Sequence, residues 1–466
     1  MSSAARIVID TRPGEIRAAV LDGSNNPIAF RIERATSQSL VGGIYLGRVL
    51  KVRPEIGAAF IDIGVGMDGF LNLKGIDTDA CGTRIAEGAA ILVQLTRDAE
   101  PGKGPALAVN IDFVGAALVF TPGKPGLGLS GRIKDEDTRS RLKSLFSNHD
   151  FSDAGLVIRT DAAEIEGKDI VEEFVRLQKR WEDLRGEMRN ANVPACLVSA
   201  PGLPERLVSQ FAGPGLNEIL VDDADMLTRV RAHIETTLGD AAPDPEITVA
   251  GESAFKMAEI EDAFEDALSA YVPLNNGGSL IITETPAMTT VDVNTGRGAA
   301  GNPERLAVET NLEAAKVLAK ELMLRGIGGL IAVDFLKMRE EQNQKRVLGA
   351  LNAAFKSDPD GPRTGNFSRF GIVDIVRRRS GASLSEVMIE RDMRPSPEAA
   401  AIRALDQIRR RGGTRAVLKT SSDVRAQIEG PLAQIRKNLE RRLGFVIRLE
   451  EVPTAARDYA EIEDIS

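Results

Sequence analysis

The chain has few residues of the kinds that form disulfides or hold transition metals. Its 466 residues include only two cysteines and two histidines. Cys81 and Cys196 lie far apart and outside any C-x-x-C pair, so the sequence predicts neither a disulfide framework nor a thiolate zinc site. His149 and His233 are interpreted as surface or packing residues. If the protein is an enzyme, its acid–base chemistry is expected from carboxylates and bound water.

Long apolar runs and a surplus of positive charge are also missing. No segment approaches the roughly 18 apolar residues of a membrane-spanning helix, and residues 1–10 lack the basic and apolar parts of a secretory signal. A reducing cytoplasm is the expected location. The formal net charge of −9 argues mildly against a nucleic-acid binder, although the clustering of Lys and Arg matters more than their average.

The remaining composition is that of a folded protein with several structural units. Hydrophobic residues make up 43% and charged residues 27%, which is ordinary for globular chains. The length predicts two to four units. We expect a mixed α+β and α/β multidomain fold, since segments of short strands alternate with segments of helix and strand.

Residues 41–118 are rich in glycine and in short strand-like runs, a pattern typical of a small barrel. The segments 47–49, 57–62 and 69–71 resemble an S1-type OB barrel. Phe60 and Phe70 would then stand on one face as base-stacking platforms, with Lys103 on a nearby loop for phosphate. The alternative is that both rings fill the core of the barrel.

Two aspartates lie at the ends of predicted strands. Asp292 and Asn294 are two residues apart in a strand and so share one face. Asp334 closes the apolar run 330–333, interpreted as a buried strand, after a predicted helix over 304–325. A right-handed crossover would bring both carboxylates to one sheet edge, where their repulsion favours Mg²⁺ or Mn²⁺. The alternative is structural: Asp292 caps a turn and Asp334 pairs with an arginine.

Several motifs then occur in a characteristic order. They are VDVNTGR at 291–297, TNLEAA at 310–315, LRGIGGLI at 324–331, VDF at 333–335 and SRFG at 368–371, preceded by GLVIRT at 155–160 and GGS at 277–279. In order and spacing they resemble the catalytic core of the ribonuclease E/G family. The resemblance runs through most of residues 1–390.

The resemblance implies a function and a set of site residues. Members of the family cut single-stranded, A/U-rich RNA and leave a 5′-phosphate. Asp292 and Asp334 would be the Mg²⁺ ligands, and Asn294 would orient the metal or the scissile phosphate. Phe60, Phe70 and Lys103 would hold RNA on the S1-like barrel. Arg159 and Thr160 would form a pocket for a 5′-monophosphate, for which a guanidinium fork and a hydroxyl are suited.

The resemblance also implies an architecture in which an RNase H-like subdomain is split by insertions. The expected divisions are an RNase H-like subdomain at 1–38 and 213–268, an S1-like barrel at 39–118, a 5′-sensor-like region at 119–212, a DNase I-like catalytic subdomain at 269–395, and a small basic C-terminal α/β unit at 396–466. The segment after Pro453 is acidic and is expected to be disordered.

Two departures from the family pattern affect oligomerisation and 5′-end sensing. Residues 383–397 contain none of the cysteines of the family's zinc link, so no zinc is expected and homo-oligomerisation is left without that support. The further basic residue of the sensor falls near residues 357–363, where an ungapped alignment places Gly361. Arg363 would replace it only through a shifted loop. We therefore expect weaker dependence on the 5′ end than is usual in the family.

Three interpretations remain open at this point. The first is a magnesium-dependent endoribonuclease. The others are a non-catalytic RNA-binding protein on the same fold and a metal-dependent phosphodiesterase acting on other nucleic acid; an S1-like barrel favours a long single strand over the latter. Residues 377–379, three consecutive arginines, face either RNA backbone or solvent. The basic unit at 396–450 contacts RNA, forms a dimer or only carries solvated arginines.

Overall fold

The structure is a computed structural model that describes residues 4–74, 85–99, 103–211, 215–239, 246–250, 252–296, 302–390, 394–412 and 415–464. Cys81 and Arg297 lie outside the described residues. The chain forms two compact units: residues 1–37, 220–223 and 249–466 make the first, and residues 38–219 and 224–248 the second. Within the described residues, no helix is both long enough and apolar enough to cross a membrane.

The first unit begins with an antiparallel meander, as the alternating pattern of residues 6–34 predicts. Its strands are β1 (Ala4–Arg12), β2 (Glu15–Asp22) and β3 (Pro27–Arg34). The turn between β2 and β3 places Asn25 in the left-handed region, at φ 62°, which asparagine tolerates better than most residues. One face of the meander buries Val8, Ala19 and Phe30 in a core shared with later helices of this unit.

The second unit opens with a closed barrel. Its strands are β4 (Ile44–Arg53), β5 (Ala58–Asp62), β6 (Asp68–Asn72), β7 (Ala90–Arg97) and β8 (Ala106–Ala108). The order β4-β5-β6-β8-β7 returns to β4, so five strands close the barrel. Gly47 is required by this closure, because a Cβ there would lie 2.5 Å from the Ile61 side chain. The barrel predicted for residues 41–118 is confirmed.

The rest of the second unit combines a small sheet with helices. Its elements, in chain order, are β9 (Phe113–Val114), β10 (Leu118–Pro122), β11 (Gly126–Leu129), α1 (Glu136–Ser144), β12 (Ala154–Ile158), α2 (Gly167–Met188), β13 (Ala195–Val198), α3 (Leu203–Phe211), β14 (Glu218–Val221), α4 (Ala224–His233) and β15 (Glu246–Val249). Strands β11-β12-β10-β9 form a sheet, and β13 pairs with β4. The C-terminal ends of β14 and β15, residues 220–221 and residue 249, belong to the first unit. His233 contacts Ser209 through Nε2, at 2.8 Å from its hydroxyl.

A six-stranded sheet forms the centre of the first unit. Its elements and the helices around them are α5 (Ala254–Met257), α6 (Glu261–Asp266), β16 (Tyr271–Pro273), β17 (Ser279–Glu284), β18 (Thr289–Asn294), α7 (Pro303–Arg325), β19 (Gly329–Asp334), α8 (Glu341–Ala354), β20 (Arg363–Thr364), β21 (Ile372–Arg377) and α9 (Leu384–Met388). The strand order is β16-β17-β18-β19-β21-β20, and β18 and β19 are parallel. One side of the sheet shares an apolar core with α7 and α8.

Helix α7 begins and ends where local sequence signals predict. The Asn302 side chain accepts a hydrogen bond from the Glu304 amide, and Pro303 occupies the first turn, both of which favour a helix start. The helix ends at Gly326, which has φ +71°, the left-handed conformation typical of a C-terminal cap. These signals set the length of the crossover that joins β18 to β19.

The first unit ends in a small α/β subdomain. Its elements are α10 (Pro397–Arg411), β22 (Ala416–Thr420), α11 (Ser422–Glu429), α12 (Ala433–Leu443), β23 (Ile447–Glu451) and β24 (Ala460–Asp464). The sheet order is β23-β22-β24. The expectation of disorder after Pro453 is wrong: β24 pairs with β22, and Ile462 packs against the apolar core of the subdomain. The acidic segment is ordered because its backbone joins the ladder of β22 and Ile462 is apolar, and Glu463 also pairs with Lys419 across the two strands.

Two arginines of α10 contact the meander. Arg409 donates to the Thr11 carbonyl at 2.8 Å, and Arg410 lies 3.5 Å from the Asp10 carboxylate. Glu398 at the start of the helix accepts from Arg34 at 2.7 Å. Some of the basic residues in 396–450 therefore bind groups of the protein itself.

Candidate active site

Asp292 and Asp334 lie side by side on the central sheet. They are direct register partners on the parallel strands β18 and β19, so both side chains leave the same face of the sheet. Both residues are exposed. The interpretation of residues 330–334 as a buried strand is wrong: Ile331 and Val333 are buried, but Leu330 and Asp334 face outward, because the helices cover only the opposite face.

Asn294 shares that face and contacts the first carboxylate. Its side-chain amide donates to Asp292 Oδ2 at 2.8 Å. Asp292 therefore has one oxygen bound by an amide, and this hydrogen bond limits the rotation of the carboxylate. Among the described residues no group of three or more Asp, Glu, His and Cys side chains converges on one point, so this site contains two carboxylates and one amide.

Helix α7 holds the segment that follows Asp334. Asn311 is fully buried; its amide donates to the Leu336 carbonyl at 2.8 Å and its Oδ1 accepts from the Leu336 amide at 3.0 Å. A buried side chain thus completes the backbone hydrogen bonds of a chain that has left the sheet. Glu313, two residues on, accepts from the Asn275 amide at 2.5 Å. The TNLE motif is explained by these contacts with the loops beside the aspartates.

Replacing Asn311 by alanine is expected to lower the free energy of unfolding by about 1–3 kcal/mol, because both backbone groups of Leu336 lose their partner in a buried position. Chemical denaturation of the two proteins measures this. Asn352→Ala, at an exposed position on α8, is the matched control; it removes one exposed hydrogen bond, from the Thr364 hydroxyl at 2.7 Å, and should change stability by less than about 1 kcal/mol. Equal effects of the two substitutions would contradict this structural role for Asn311.

Positive and aromatic residues lie next to the ends of the strands beside the two aspartates. Lys337 and Arg339 follow β19, and Arg369 and Phe370 precede β21; all four are exposed. The Asp334 register partner on β21 is Ile372, only two residues from Phe370. Sequence reasoning assigned these four residues no role. The SRFG motif was the available signal, but only the fold shows that it begins the strand beside Asp334.

In the barrel, Phe60 and Phe70 are direct register partners on β5 and β6. Their ring centroids are 6.1 Å apart and the rings meet edge to face, at 77°. Phe60 is half-buried and Phe70 is 36% exposed, and neither belongs to the buried barrel core. Lys103 is exposed and lies close to the strand of Phe70, since the Phe70 amide donates to the Pro105 carbonyl at 2.7 Å.

Arg159 and Thr160 lie at the end of β12, where much of their hydrogen-bonding capacity is already used. Arg159 donates through Nη1 to the carbonyls of Gly115 and Ala116, at 2.5 and 3.0 Å, and lies 3.5 Å from the Asp161 carboxylate. The Thr160 hydroxyl is 2.9 Å from the Ser130 hydroxyl. The guanidinium is thus held in place by protein groups, and only part of its fork remains for a phosphate.

A buried carboxylate binds the loop at residues 115–118, which Arg159 also contacts. Glu173 on α2 accepts hydrogen bonds from the backbone amides of Ala117 and Leu118, at about 3 Å. Burial raises the pKa of Glu173 to about 7, although these hydrogen bonds oppose the shift. A Cβ at Gly115 would lie 2.1 Å from the Glu173 carboxylate, so glycine is needed where the loop passes this side chain.

A buried arginine binds the loop that precedes Arg363. Arg377 is 2% exposed and binds Asp358 through Nε and Nη2, at 2.8 and 3.0 Å. The same guanidinium lies 2.9 Å from Asp360 and donates to the Ile327 carbonyl at 2.7 Å. Arg363 itself is exposed on β20. The expectation that Arg377 faces RNA or solvent is therefore wrong, because alternation along β21 turns it into the protein.

Proteins of one known family are similar to this chain over most of its length. The profile of the "Ribonuclease E/G family" matches residues 112–380, more than half of the chain. Ribonuclease G of Escherichia coli K12 is 30% identical over 82% of this chain and 82% of its own length. Ribonuclease G of Haemophilus influenzae is 29% identical over 83% and 82%, and ribonuclease E of Nostoc sp. 33% identical over 76% and 53%. The chain belongs to the ribonuclease E/G family.

Proposed function

We propose that this protein is a metal-dependent endoribonuclease that hydrolyses phosphodiester bonds in single-stranded, A/U-rich RNA and leaves a 5′-phosphate. One observation carries the proposal: in a chain of the ribonuclease E/G family, Asp292 and Asp334 are in register on adjacent parallel strands, on a face open to a polymer. The cytoplasm remains the expected location.

The residues present fit a hard divalent cation. Two carboxylates on neighbouring strands repel one another unless a cation lies between them, and oxygen ligands without His or Cys suit Mg²⁺ or Mn²⁺. Mg²⁺ commonly uses one or two protein carboxylates and fills its remaining positions with water and substrate phosphate. Such an ion would polarise a phosphoryl oxygen and lower the pKa of bound water.

The protein's own residues then position the reaction. Asp292 and Asp334 hold the cation, and the Asn294 amide keeps the Asp292 carboxylate in one orientation through its 2.8 Å hydrogen bond. Asn311 fixes the chain that leaves Asp334. Lys337 and Arg339, exposed just beyond it, are placed to bind phosphates that flank the scissile bond.

Binding of a single strand is supported by the barrel. Phe60 and Phe70 form an aromatic pair at its surface, beside an exposed Lys103. Stacking on aromatic rings suits unpaired bases of any sequence, and a lysine supplies the contact to phosphate. A phosphodiesterase for small nucleotides would have no use for such a second surface, and a binding-only protein would have no use for the ordered pair of aspartates.

The proposal is tested by incubating purified protein with an A/U-rich single-stranded RNA and Mg²⁺. We expect internal cuts that stop when EDTA is added and return when Mg²⁺ is restored. A duplex RNA and a DNA of the same sequence serve as matched substrates and should be cut poorly. Tight RNA binding without cleavage would instead support the non-catalytic interpretation, and preferred cutting of DNA would support the wider phosphodiesterase.

We also propose that 5′-end sensing is weak. Arg159 already donates to two carbonyls, and Asp358 and Asp360 tie the loop before Arg363 to Arg377, which opposes the loop shift that the sensor would need. Cleavage rates of one RNA with a 5′-monophosphate or a 5′-hydroxyl should differ less than about tenfold, about 1.4 kcal/mol. A difference of a hundredfold or more would show an intact sensor.

A further inference from the structure

Phe370 has an unusual position for a large apolar side chain. It is 78% exposed, the highest value among the large hydrophobic residues of the described part of the chain. Exposing so much apolar surface is unfavourable unless a ligand covers it. The ring lies at the tip of the turn that begins β21, and β21 is the strand whose residue Ile372 pairs with Asp334.

The turn that carries the ring is firmly held. The Ser368 amide donates to the Ile372 carbonyl at 2.8 Å, and the Gly371 amide to the Ser368 carbonyl at 2.9 Å. Gly371 has φ +92°, a conformation that suits glycine. The Ser368 hydroxyl also accepts from the Ile372 amide at 3.2 Å. The ring is therefore presented on a closed, hydrogen-bonded turn, which reduces the entropy lost when a ligand binds.

One side of the ring is already paired with a cation. The Arg369 guanidinium carbon lies 4.9 Å from the Phe370 ring centroid, and no ion pair is found for Arg369 among the residues that the structure describes. A base stacked on the free face would complete a sandwich, and the guanidinium could bind an adjacent phosphate. Ile372 and Val376 are also exposed on this face of β21, with the exposed Asp374 between them.

We infer that Phe370, with Arg369, is the stacking platform for one RNA base next to the scissile phosphate. This inference rests on the proposed function, since it assigns a substrate contact at the same site. RNA is favoured over a second protein chain as the occupant, because the patch also contains two exposed aspartates and an exposed arginine, whereas the centres of protein interfaces are depleted in charged residues.

The experiment compares kcat/KM for an RNA oligonucleotide with kcat/KM for a set of oligonucleotides, each of which has one abasic nucleotide at a different position. Phe370→Ala should lower kcat/KM about tenfold, mostly through KM, as loss of one base stack does. One abasic position should cause the same loss in the wild type and no further loss in Phe370→Ala. Phe370→Tyr, which keeps an aromatic ring, should have kcat/KM close to that of the wild type. Val446→Ala, at a site 72% exposed in the C-terminal subdomain, should leave kcat/KM unchanged.

Full activity of Phe370→Ala would overturn the inference. So would abasic substitutions that lower kcat/KM further in Phe370→Ala at every position of the RNA. A change in the oligomeric state of Phe370→Ala, measured by sedimentation, would also overturn it, because it would make this face an interface between copies. Failure of the proposed function is a separate result, in which the wild type cuts no RNA. Quenching of 2-aminopurine in bound RNA, if lost in Phe370→Ala but kept in Phe370→Tyr, would then still support stacking.

Discussion

Replacing Asp292 or Asp334 by asparagine is expected to slow RNA cleavage about a thousandfold, because a neutral amide would remove one of the two anionic ligands of the proposed cation and several kcal/mol of transition-state stabilisation. The exposed position of both residues means that neither change should unfold the protein. Single-turnover cleavage of an A/U-rich RNA measures the rate, and RNA affinity measured separately should change far less.

Asp374→Asn is the matched control for this prediction. Asp374 is exposed on β21, on the same face as the aspartate pair, but its carboxylate lies against Gly365, where a Cβ would come within 2.2 Å of it. It should retain most of the activity. Unchanged cleavage by the Asp292 and Asp334 variants would point to a contaminating nuclease and leave both residues with a structural role only.

Replacing Arg377 by methionine is expected to lower the free energy of unfolding by about 3–5 kcal/mol, the effect of removing one partner from a buried ion pair. Asp358 and Asp360 are 1% and 5% exposed, and both would lose this guanidinium as a buried partner. Burial and the nearby Arg377 cation lower the pKa of Arg31 to about 10, so the cluster also affects the residue that caps the end of α7. Denaturant unfolding checks the prediction.

The neighbouring arginines provide the comparison for Arg377. The Arg378 and Arg379 side chains are 71% and 48% exposed, and their replacement by methionine should change stability by less than about 1 kcal/mol, as expected of exposed ion pairs. Similar losses at all three positions would show that the buried cluster is not what stabilises this part of the fold.

The local features of the site could be predicted from the sequence. The helix predicted over 304–325 matches α7 to within one residue, and the alternation in TVDVN predicts that Asp292 and Asn294 share a face. The tendency of consecutive strands to lie side by side then predicts that β18 and β19 are neighbours. Local propensities are enough for the helix ends and the shared face, because these depend on residues close together in the chain. The pairing of the two strands follows from a general topological rule instead.

The tertiary structure decided which faces are covered and which distant groups meet. In GLIAVD, an apolar run suggested a strand buried on both sides, but Leu330 faces outward because the described helices pack on one side only. Asn311 and Leu336 are 25 residues apart, and Arg377 and Asp358 are 19 apart. A local pattern does not encode such pairs, since their hydrogen bonds form only after the helix and the strands have packed.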